Sequence, residues 1–198
     1  MNDRAPLPAP SRTEGKKWPK HPAGSYILVL ADVIHLGHRV TEWKGKRKKQ
    51  ERVTLIWQSA RTEPETGKRF ELATEFTYST YETAALRPFL EGWLGTDCLE
   101  TESIAEETLR HLPDRIGQCG IASIVHKAVE DRVYVNIKSM APLMDGMKPI
   151  KIEDYHRNPY WDKRKTQYAT DTAAFDAEEA ARGTAHRVTL RRGRKGTS

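Results

Sequence analysis

The sequence predicts a mainly β domain, a five-stranded barrel in which a helical insertion separates the third strand from the fourth. Two β-rich runs, Cys119–His126 and Arg132–Met140, flank a charged connection of the length that joins antiparallel strands. Three earlier runs are equally rich in β-branched and aromatic residues. From Ser79 onward the apolar residues recur with the helical period instead, which places helices between the two groups of strands.

The first three strands are predicted before residue 79. Gly24–Gly37 is much longer than the usual strand of about five or six residues, so we expect it to bend or bulge partway. Val53–Ala60 and Phe70–Tyr78 follow, separated by a turn rich in polar residues, proline and glycine. Trp57 and Phe70 fall on the apolar faces of their strands, which predicts that both are core residues.

Two helices are predicted between strands three and four. Ser79 and Glu82 fit a capping box, and an apolar stripe with helical spacing follows them. The residues of this stripe are Leu86, Phe89, Leu90, Trp93 and Leu94. Pro88 interrupts the stripe and is expected to kink the helix near its start. A second capping box that begins at Ser103 predicts a short helix over Ile104–Leu112.

The ends of the chain are predicted to be disordered. Residues 1–22 hold five prolines among polar residues and have no apolar core typical of a signal peptide. Residues 148–198 are aromatic and basic, and the stretch TDTAAFDAEEAAR within them would form only a marginal helix unless docked. The predicted organisation is therefore one domain over 23–147 between a disordered lead, 1–22, and a largely disordered tail, 148–198.

The net charge of +6 is concentrated in two patches. Residues 183–198 contain five cations and no acid, and residues 39–52 contain seven cations and two acids. Each patch therefore carries +5, and the rest of the chain is negative. Concentrated positive charge favours a polyanionic partner, and we expect the last sixteen residues to capture such a partner nonspecifically.

The segment 39–52 is predicted to be the loop between strands one and two and the main phosphate-binding element. Its candidate binding cations are Arg39, Lys44, Lys46, Arg47, Lys48, Lys49 and Arg52. Trp43 lies among them, and a tryptophan in a polar loop has no core to enter, which favours stacking on a base. The alternative is that the lysine-rich run only keeps a loop soluble. Tyr78, at a strand end, fits either the core or the binding surface.

The last predicted strand supplies a second candidate surface. Its residues alternate between an apolar face and a polar face. The apolar face consists of Val133, Val135 and Ile137, and the polar face consists of Arg132, Tyr134, Asn136 and Lys138. Cations beside an exposed ring suit a phosphate backbone and a stacked base, although an ordinary solvated face has the same pattern.

Three strands, a helical insertion and two strands is the element order of the OB-fold, a five-stranded Greek-key barrel. The chain also resembles a group of phage-encoded single-stranded DNA-binding proteins with this fold. The resemblance covers residues 23–147 and depends on the segments YILVLADVIHLG, FTYSTYETAALRPFLEGWLG and IGQCGIASIVHKAVEDRVYVNIKSMAPL. It implies sequence-nonspecific binding of single-stranded DNA during phage replication or recombination, in the cytoplasm of the bacterial host.

Two features depart from this family. Its members commonly end in an acidic tip that recruits replication partners, whereas this chain ends in RRGRKGTS. The third strand also places Glu71 and Glu75 on one face, where they would repel phosphate if that face formed the groove.

Two other functional classes were weighed. In the first, the domain is an adaptor whose tail docks onto a replication or recombination protein through four aromatic residues, Tyr155, Tyr160, Trp161 and Tyr168. In the second, it is a metal-dependent nuclease, which needs converging carboxylates. The glutamates at 100–107 surround one helix start, and His35 and His38 lack ligand spacing, so we expect no enzyme, metal site or cofactor. No apolar run is long enough to span a membrane.

Overall fold

A computed structural model describes residues 19–130 and 132–193, except for the side chains of Trp43 and of residues 183–193. The predicted disorder of residues 1–18 and 194–198 lies outside the described residues. The strands and helices are β1 (Gly24–Trp43), β2 (Lys46–Thr62), β3 (Arg69–Thr77), α1 (Leu86–Leu94), α2 (Glu102–Arg110), β4 (Cys119–Val129), β5 (Arg132–Ala141) and α3 (Tyr160–Gly193). The chain is therefore mainly β with a few helices, as predicted.

The five strands form one antiparallel sheet in the order β3-β2-β1-β4-β5. The sheet is open, because in the described part of the chain no strand pairing joins the edge strands β3 and β5. Helix α1 contacts both edges: the rings of Phe89 and Phe76 of β3 are 4.9 Å apart, and Gly92 packs against the carbonyl of Met140 in β5. The predicted closed barrel is thus not confirmed.

Strand β1 is longer than predicted and has register shifts between Leu30 and Asp32 and between His35 and Gly37, which confirms the expected bulging. Leu28 and Leu30 belong to the main core, whereas Ala31, Ile34 and Leu36 belong to a second apolar cluster. In β2, Leu55 and Trp57 belong to the main core, whereas Ile56 between them belongs to the second cluster. Successive residues of a strand point to opposite faces, so the two clusters lie on opposite faces of the sheet.

The main core lies between one face of the sheet and helices α1 and α2. Trp57 and Trp93 are fully buried there with their rings edge to face, 4.9 Å apart, and the indole nitrogen of Trp93 donates to the carbonyl of Cys119 at 3.1 Å. Trp57 and Phe70, which were predicted to be core residues, are buried, and so are Trp93 of the apolar stripe and Phe76 of β3.

Both helix starts differ from the predictions. Helix α1 begins at Leu86 rather than Ser79, and no side chain caps it. Pro88 therefore lies in the first turn, where backbone N–H groups have no intrahelical acceptor, so its missing N–H removes no hydrogen bond from the helix. Helix α2 is capped by Thr101, whose hydroxyl accepts from the Ile104 amide at 3.2 Å, two residues before the predicted cap.

The prediction of a largely disordered tail over 148–198 is wrong for residues 160–193, which form helix α3. The helix is stabilised by docking on the second apolar cluster, where Tyr168 is only 6% exposed. The predicted disordered lead is also partly ordered, since the structure describes its residues 19–22. His21 is buried, and its Nε2 lies 2.7 Å from the hydroxyl of Ser59.

None of the helices in the described residues is both long enough and apolar enough to cross a membrane. Helix α3 has the length, but charged residues occur throughout it.

Replacing Gly92 with Ala tests the close approach of α1 to β5. Alanine is favoured over glycine in a helix by about 0.8–1.0 kcal/mol, so propensity alone predicts stabilisation. A Cβ at this position would lie 2.6 Å from the Met140 carbonyl oxygen, so the helix must shift. We expect net destabilisation of about 1–3 kcal/mol in a denaturant titration. A stabilised Gly92→Ala variant would show that α1 lies farther from β5.

Candidate nucleic-acid interface

The segment 39–52 is a β-hairpin rather than a loop, and we call it the basic hairpin. Strands β1 and β2 remain paired from Arg39 with Gln50 to Trp43 with Lys46. Only Lys44 and Gly45 form the turn, and both have positive φ, 50° and 73°. Two consecutive residues with positive φ form the turn whose twist matches the flanking strands. The cations are therefore held on paired strands instead of on a mobile loop.

Two predicted phosphate-binding cations form ion pairs with helix α3. An Arg47 guanidinium nitrogen donates to Glu178 at 2.6 Å, and Lys49 Nζ donates to Asp176 at 2.7 Å. The guanidinium of Arg47 also lies over the ring of Phe175, 5.2 Å from its centroid. Helix α3 thus lies along the basic hairpin and neutralises part of its charge.

Arg52 and Arg39 are directed to the carboxylate of Glu75 in β3. Arg52 Nε donates to it at 2.9 Å, Arg164 of α3 donates at 2.7 Å, and a nitrogen of Arg39 lies 3.8 Å away. Burial raises the pKa of Glu75, but the hydrogen bond from Arg52 and the charges of Arg164 and Arg52 outweigh burial and keep that pKa below its ordinary value. Arg52 is thus committed to an internal ion pair, and Glu75 is neutralised rather than presented to solvent.

Lys46 and Lys48 remain the accessible cations of the basic hairpin. Both side chains are exposed, and neither forms an ion pair with a described residue. Lys44 at the turn is exposed as well. The side chain of Trp43 lies outside the described part of the chain, so its predicted stacking role stays a prediction.

A second polar surface lies on the hairpin formed by β4 and β5. The predicted residues Arg132, Tyr134 and Lys138 are all exposed, and Tyr134 lies opposite Lys127. Val133, which was predicted to face the core, is 39% exposed because this end of the hairpin extends beyond the core. Strands β1 and β4 lie between β2 and β5, so this surface is separate from the basic hairpin in the sheet.

Tyr78 makes a structural contact. Its hydroxyl donates to the carbonyl of Leu109 at the end of α2, at 2.8 Å, and its ring packs edge to face on His35. This residue joins the end of β3 to α2, and its half-buried position does not favour base stacking.

Sequence reasoning missed a buried carboxylate in β1. Asp32 accepts two hydrogen bonds from the Arg157 guanidinium, at 2.7 and 2.8 Å, and one from the Tyr155 hydroxyl at 2.8 Å. Burial raises the pKa of Asp32, but these hydrogen bonds outweigh burial and hold the pKa below its ordinary value. An aspartate within the apolar run YILVLADVIHL was the available signal, because such a residue needs a buried partner.

The partners of Asp32 belong to a segment, residues 153–178, that crosses the sheet and that we call the C-terminal strap. Its first contacts are with β2 and β3: the Gln58 side chain exchanges two hydrogen bonds of 2.8 Å with the backbone of Glu153, and Arg69 pairs with the Glu153 carboxylate at 2.6 Å. The strap then reaches Asp32 and Glu75 and continues as α3 along the basic hairpin. It therefore covers the face of β1, β2 and β3 opposite to the main core.

Most of the aromatic residues predicted to dock onto a partner contact this chain instead. Tyr168 is buried in the second apolar cluster, and Tyr155 and Trp161 pack against it. Tyr160 is 49% exposed. Of the four aromatic residues, Tyr160 is thus the most accessible to another molecule.

Within residues 19–130 and 132–193, no three His, Cys, Asp or Glu side chains converge as a metal site would require. Comparisons with protein-family models, curated proteins and solved structures found no match. The functional interpretation therefore depends on the residues of this chain and their geometry.

Replacing Glu75 with Gln tests its role in holding the strap. We expect the free energy of unfolding at neutral pH to fall by about 1.5–3 kcal/mol, the usual value of a hydrogen bond to a charged group. Because the pKa of Glu75 is lowered in the folded state, its contribution is present above the unfolded value of about 4.3 and is lost as the pH falls through the folded value. Parent and variant should therefore converge in stability in acid.

Glu71→Gln is the matched control, since Glu71 is an exposed carboxylate on the same strand whose one hydrogen bond, from Gln58, is long at 3.4 Å. It should change stability little at any pH. Equal effects of the two substitutions in pH-dependent denaturant titrations would contradict the role of Glu75.

Proposed function

We propose that this protein binds single-stranded DNA without sequence specificity, through the basic hairpin and the β4–β5 hairpin. The observation that carries the proposal is the pair of exposed lysines, Lys46 and Lys48, on the paired strands of the basic hairpin. Single-strand binding requires cations along the backbone path and flat rings for stacking, and it requires little readout of base edges.

The sheet supports an OB-type arrangement. Strand β1 pairs with both β2 and β4, and the helices lie between β3 and β4 in the chain. In an OB-fold, ligands bind over strands two and three, between the connection of strands one and two and that of strands four and five. These two connections correspond here to the basic hairpin and the β4–β5 hairpin. Because the strap covers the outer face of β2 and β3, we propose that the two hairpins themselves bind the DNA. We propose that β3 and β5 flank the seam at which such a barrel closes.

The two hairpins supply complementary chemistry. Lys46 and Lys48 neutralise phosphates, while Tyr134 offers a half-exposed ring on the strand that also carries Arg132 and Lys138. Neither lysines nor a tyrosine ring distinguishes one base from another, which favours nonspecific binding. The resemblance to phage single-stranded DNA-binding proteins further favours a role in phage replication or recombination in the bacterial cytoplasm.

A protein-docking function is the second candidate, and one observation favours it. Val129 and Val133, 44% and 39% exposed, lie near the tip of the β4–β5 hairpin, as Tyr134 does, and Tyr160 of the strap is also exposed. Exposed apolar and aromatic side chains suit a replication or recombination protein as partner. Binding through phosphate must weaken steeply with salt, whereas docking through these side chains must not.

Replacing Lys46 and Lys48 with Gln tests the phosphate contacts. For single strands the logarithm of the binding constant falls with the logarithm of salt concentration by about 0.7 per neutralised phosphate. If each lysine neutralises one phosphate, the slope should decrease by about 1.4 in fluorescence titrations with an oligothymidine. The variant Lys148→Gln/Lys151→Gln is the control, since it removes the same charge from exposed residues between β5 and the strap. If both variants keep the parental slope, the phosphates bind elsewhere.

Replacing Tyr134 with Ala tests base stacking. We expect binding to weaken by about 1–3 kcal/mol with little change in the salt slope, because stacking releases no counterions. Tyr134→Phe keeps the ring and should bind as the parent does. A loss in Tyr134→Phe equal to that in Tyr134→Ala would show that the hydroxyl, not the ring, is used.

A further inference from the structure

We propose that the distal part of α3, residues 172–182, is a displaceable cover of the basic hairpin that competes with single-stranded DNA for Arg47 and Lys49. This inference rests on the proposed function and adds a regulatory element to the same site. The cover belongs to the chain itself, so free protein and DNA-bound protein differ in the position of this segment.

The carboxylates of the cover lie where phosphate oxygens would bind. Asp176 Oδ1 is 2.7 Å from Lys49 Nζ, and Glu178 Oε2 is 2.6 Å from an Arg47 guanidinium nitrogen. These are the lengths of charge-assisted hydrogen bonds, which arginine and lysine form with carboxylate and phosphate alike. A DNA backbone on this hairpin must therefore replace both carboxylates to reach these two cations.

The proximal part of the strap, residues 153–168, is firmly attached to the sheet. Asp32, buried with its side chain only 9% exposed, holds Arg157 by two hydrogen bonds, and Glu75 holds Arg164. Tyr168 adds a buried ring in the second apolar cluster. If Arg157 and Arg164 moved away, the buried carboxylates of Asp32 and Glu75 would lose their partners, which would cost free energy.

The distal part is attached much more weakly. Its two ion pairs join side chains that are all between 33% and 53% exposed. The distal part also makes a hydrogen bond from the Thr172 hydroxyl to the His38 carbonyl at 2.7 Å, and Arg47 packs on its Phe175. Exposed ion pairs contribute little and are screened by salt. The distal part can thus leave the hairpin while residues 153–168 stay docked.

The acidic residues of α3 provide a matched pair of variants. Asp176→Asn/Glu178→Gln removes the two carboxylates that contact the hairpin. Asp171→Asn/Glu179→Gln removes two carboxylates whose hydrogen bonds, from Gln167 and Arg182, lie within α3. Both variants change the net charge by the same amount. A difference between their DNA affinities is therefore caused by the contacts with Arg47 and Lys49 and not by the overall charge.

The experiment is a fluorescence titration of the full chain with labelled oligothymidine. At about 0.01 M salt, where the screening length is about 30 Å, Asp176→Asn/Glu178→Gln should bind more tightly than Asp171→Asn/Glu179→Gln. Two exposed ion pairs predict a difference of roughly two- to thirtyfold. The difference should shrink at physiological ionic strength. Equal affinities of the two variants, with the parent still binding, would overturn the cover and leave the proposed function intact.

Amide hydrogen exchange gives a readout that does not depend on affinity. Adding oligothymidine to the parent should speed exchange over 172–182 and leave 160–168 protected. In Asp176→Asn/Glu178→Gln, exchange over 172–182 should already be fast without DNA. Unchanged or slower exchange over 172–182 in DNA-bound parent would contradict displacement. If neither the parent nor any variant binds the oligonucleotide at low salt, the proposed function fails, and this inference fails with it.

Discussion

The bulge of β1 at Ala31 is the constraint on which the rest of the structure depends. In a strand without a bulge, every second residue lies on the same face of the sheet along the whole length of the strand. The register shift between Leu30 and Asp32 ends that alternation, so that one strand contributes Leu28 and Leu30 to the main core and then Ala31, Ile34 and Leu36 to a second cluster. The sheet is therefore packed on both faces of β1, by α1 and α2 on one side and by the C-terminal strap on the other.

The second face is stabilised by two carboxylates as well as by apolar contact. Asp32 and Glu75 have side chains only 9% and 15% exposed, and an ionised carboxylate at such positions requires a partner. Arg157 and Arg164 supply the opposite charges, which fixes the path of the strap over β1, β2 and β3. The same path brings α3 onto the basic hairpin. Stability of the sheet and access to the candidate binding surface are thus coupled through one segment.

The sequence predicted the features that depend on local patterns. The five strands, the bulged first strand and the burial of Trp57 and Trp93 all follow from residue type and period. The sequence did not predict the strap, because its contacts join residues 84 to 134 positions apart, such as Arg69 with Glu153 and His38 with Thr172. Residues 170–182 have weak intrinsic helix stability, and only their distant partners in β1 and β2 show that the helix is docked.

The residues of the candidate site were predicted, but the hairpin that holds them was not. The cations of segment 39–52 were identified, yet the turn at Lys44 and Gly45 extends β1 and β2 where a loop was expected. The pairing of Arg52 with Glu75 and of Lys49 with Asp176 also follows from tertiary contacts.

The central claim, that the protein binds single-stranded DNA, is tested most directly by titrating the full chain with a labelled oligothymidine at several salt concentrations, with unlabelled duplex of equal length as competitor. The account predicts salt-dependent binding to the single strand that the duplex competes for poorly, and equal competition by the duplex, or no binding at low salt, would contradict it.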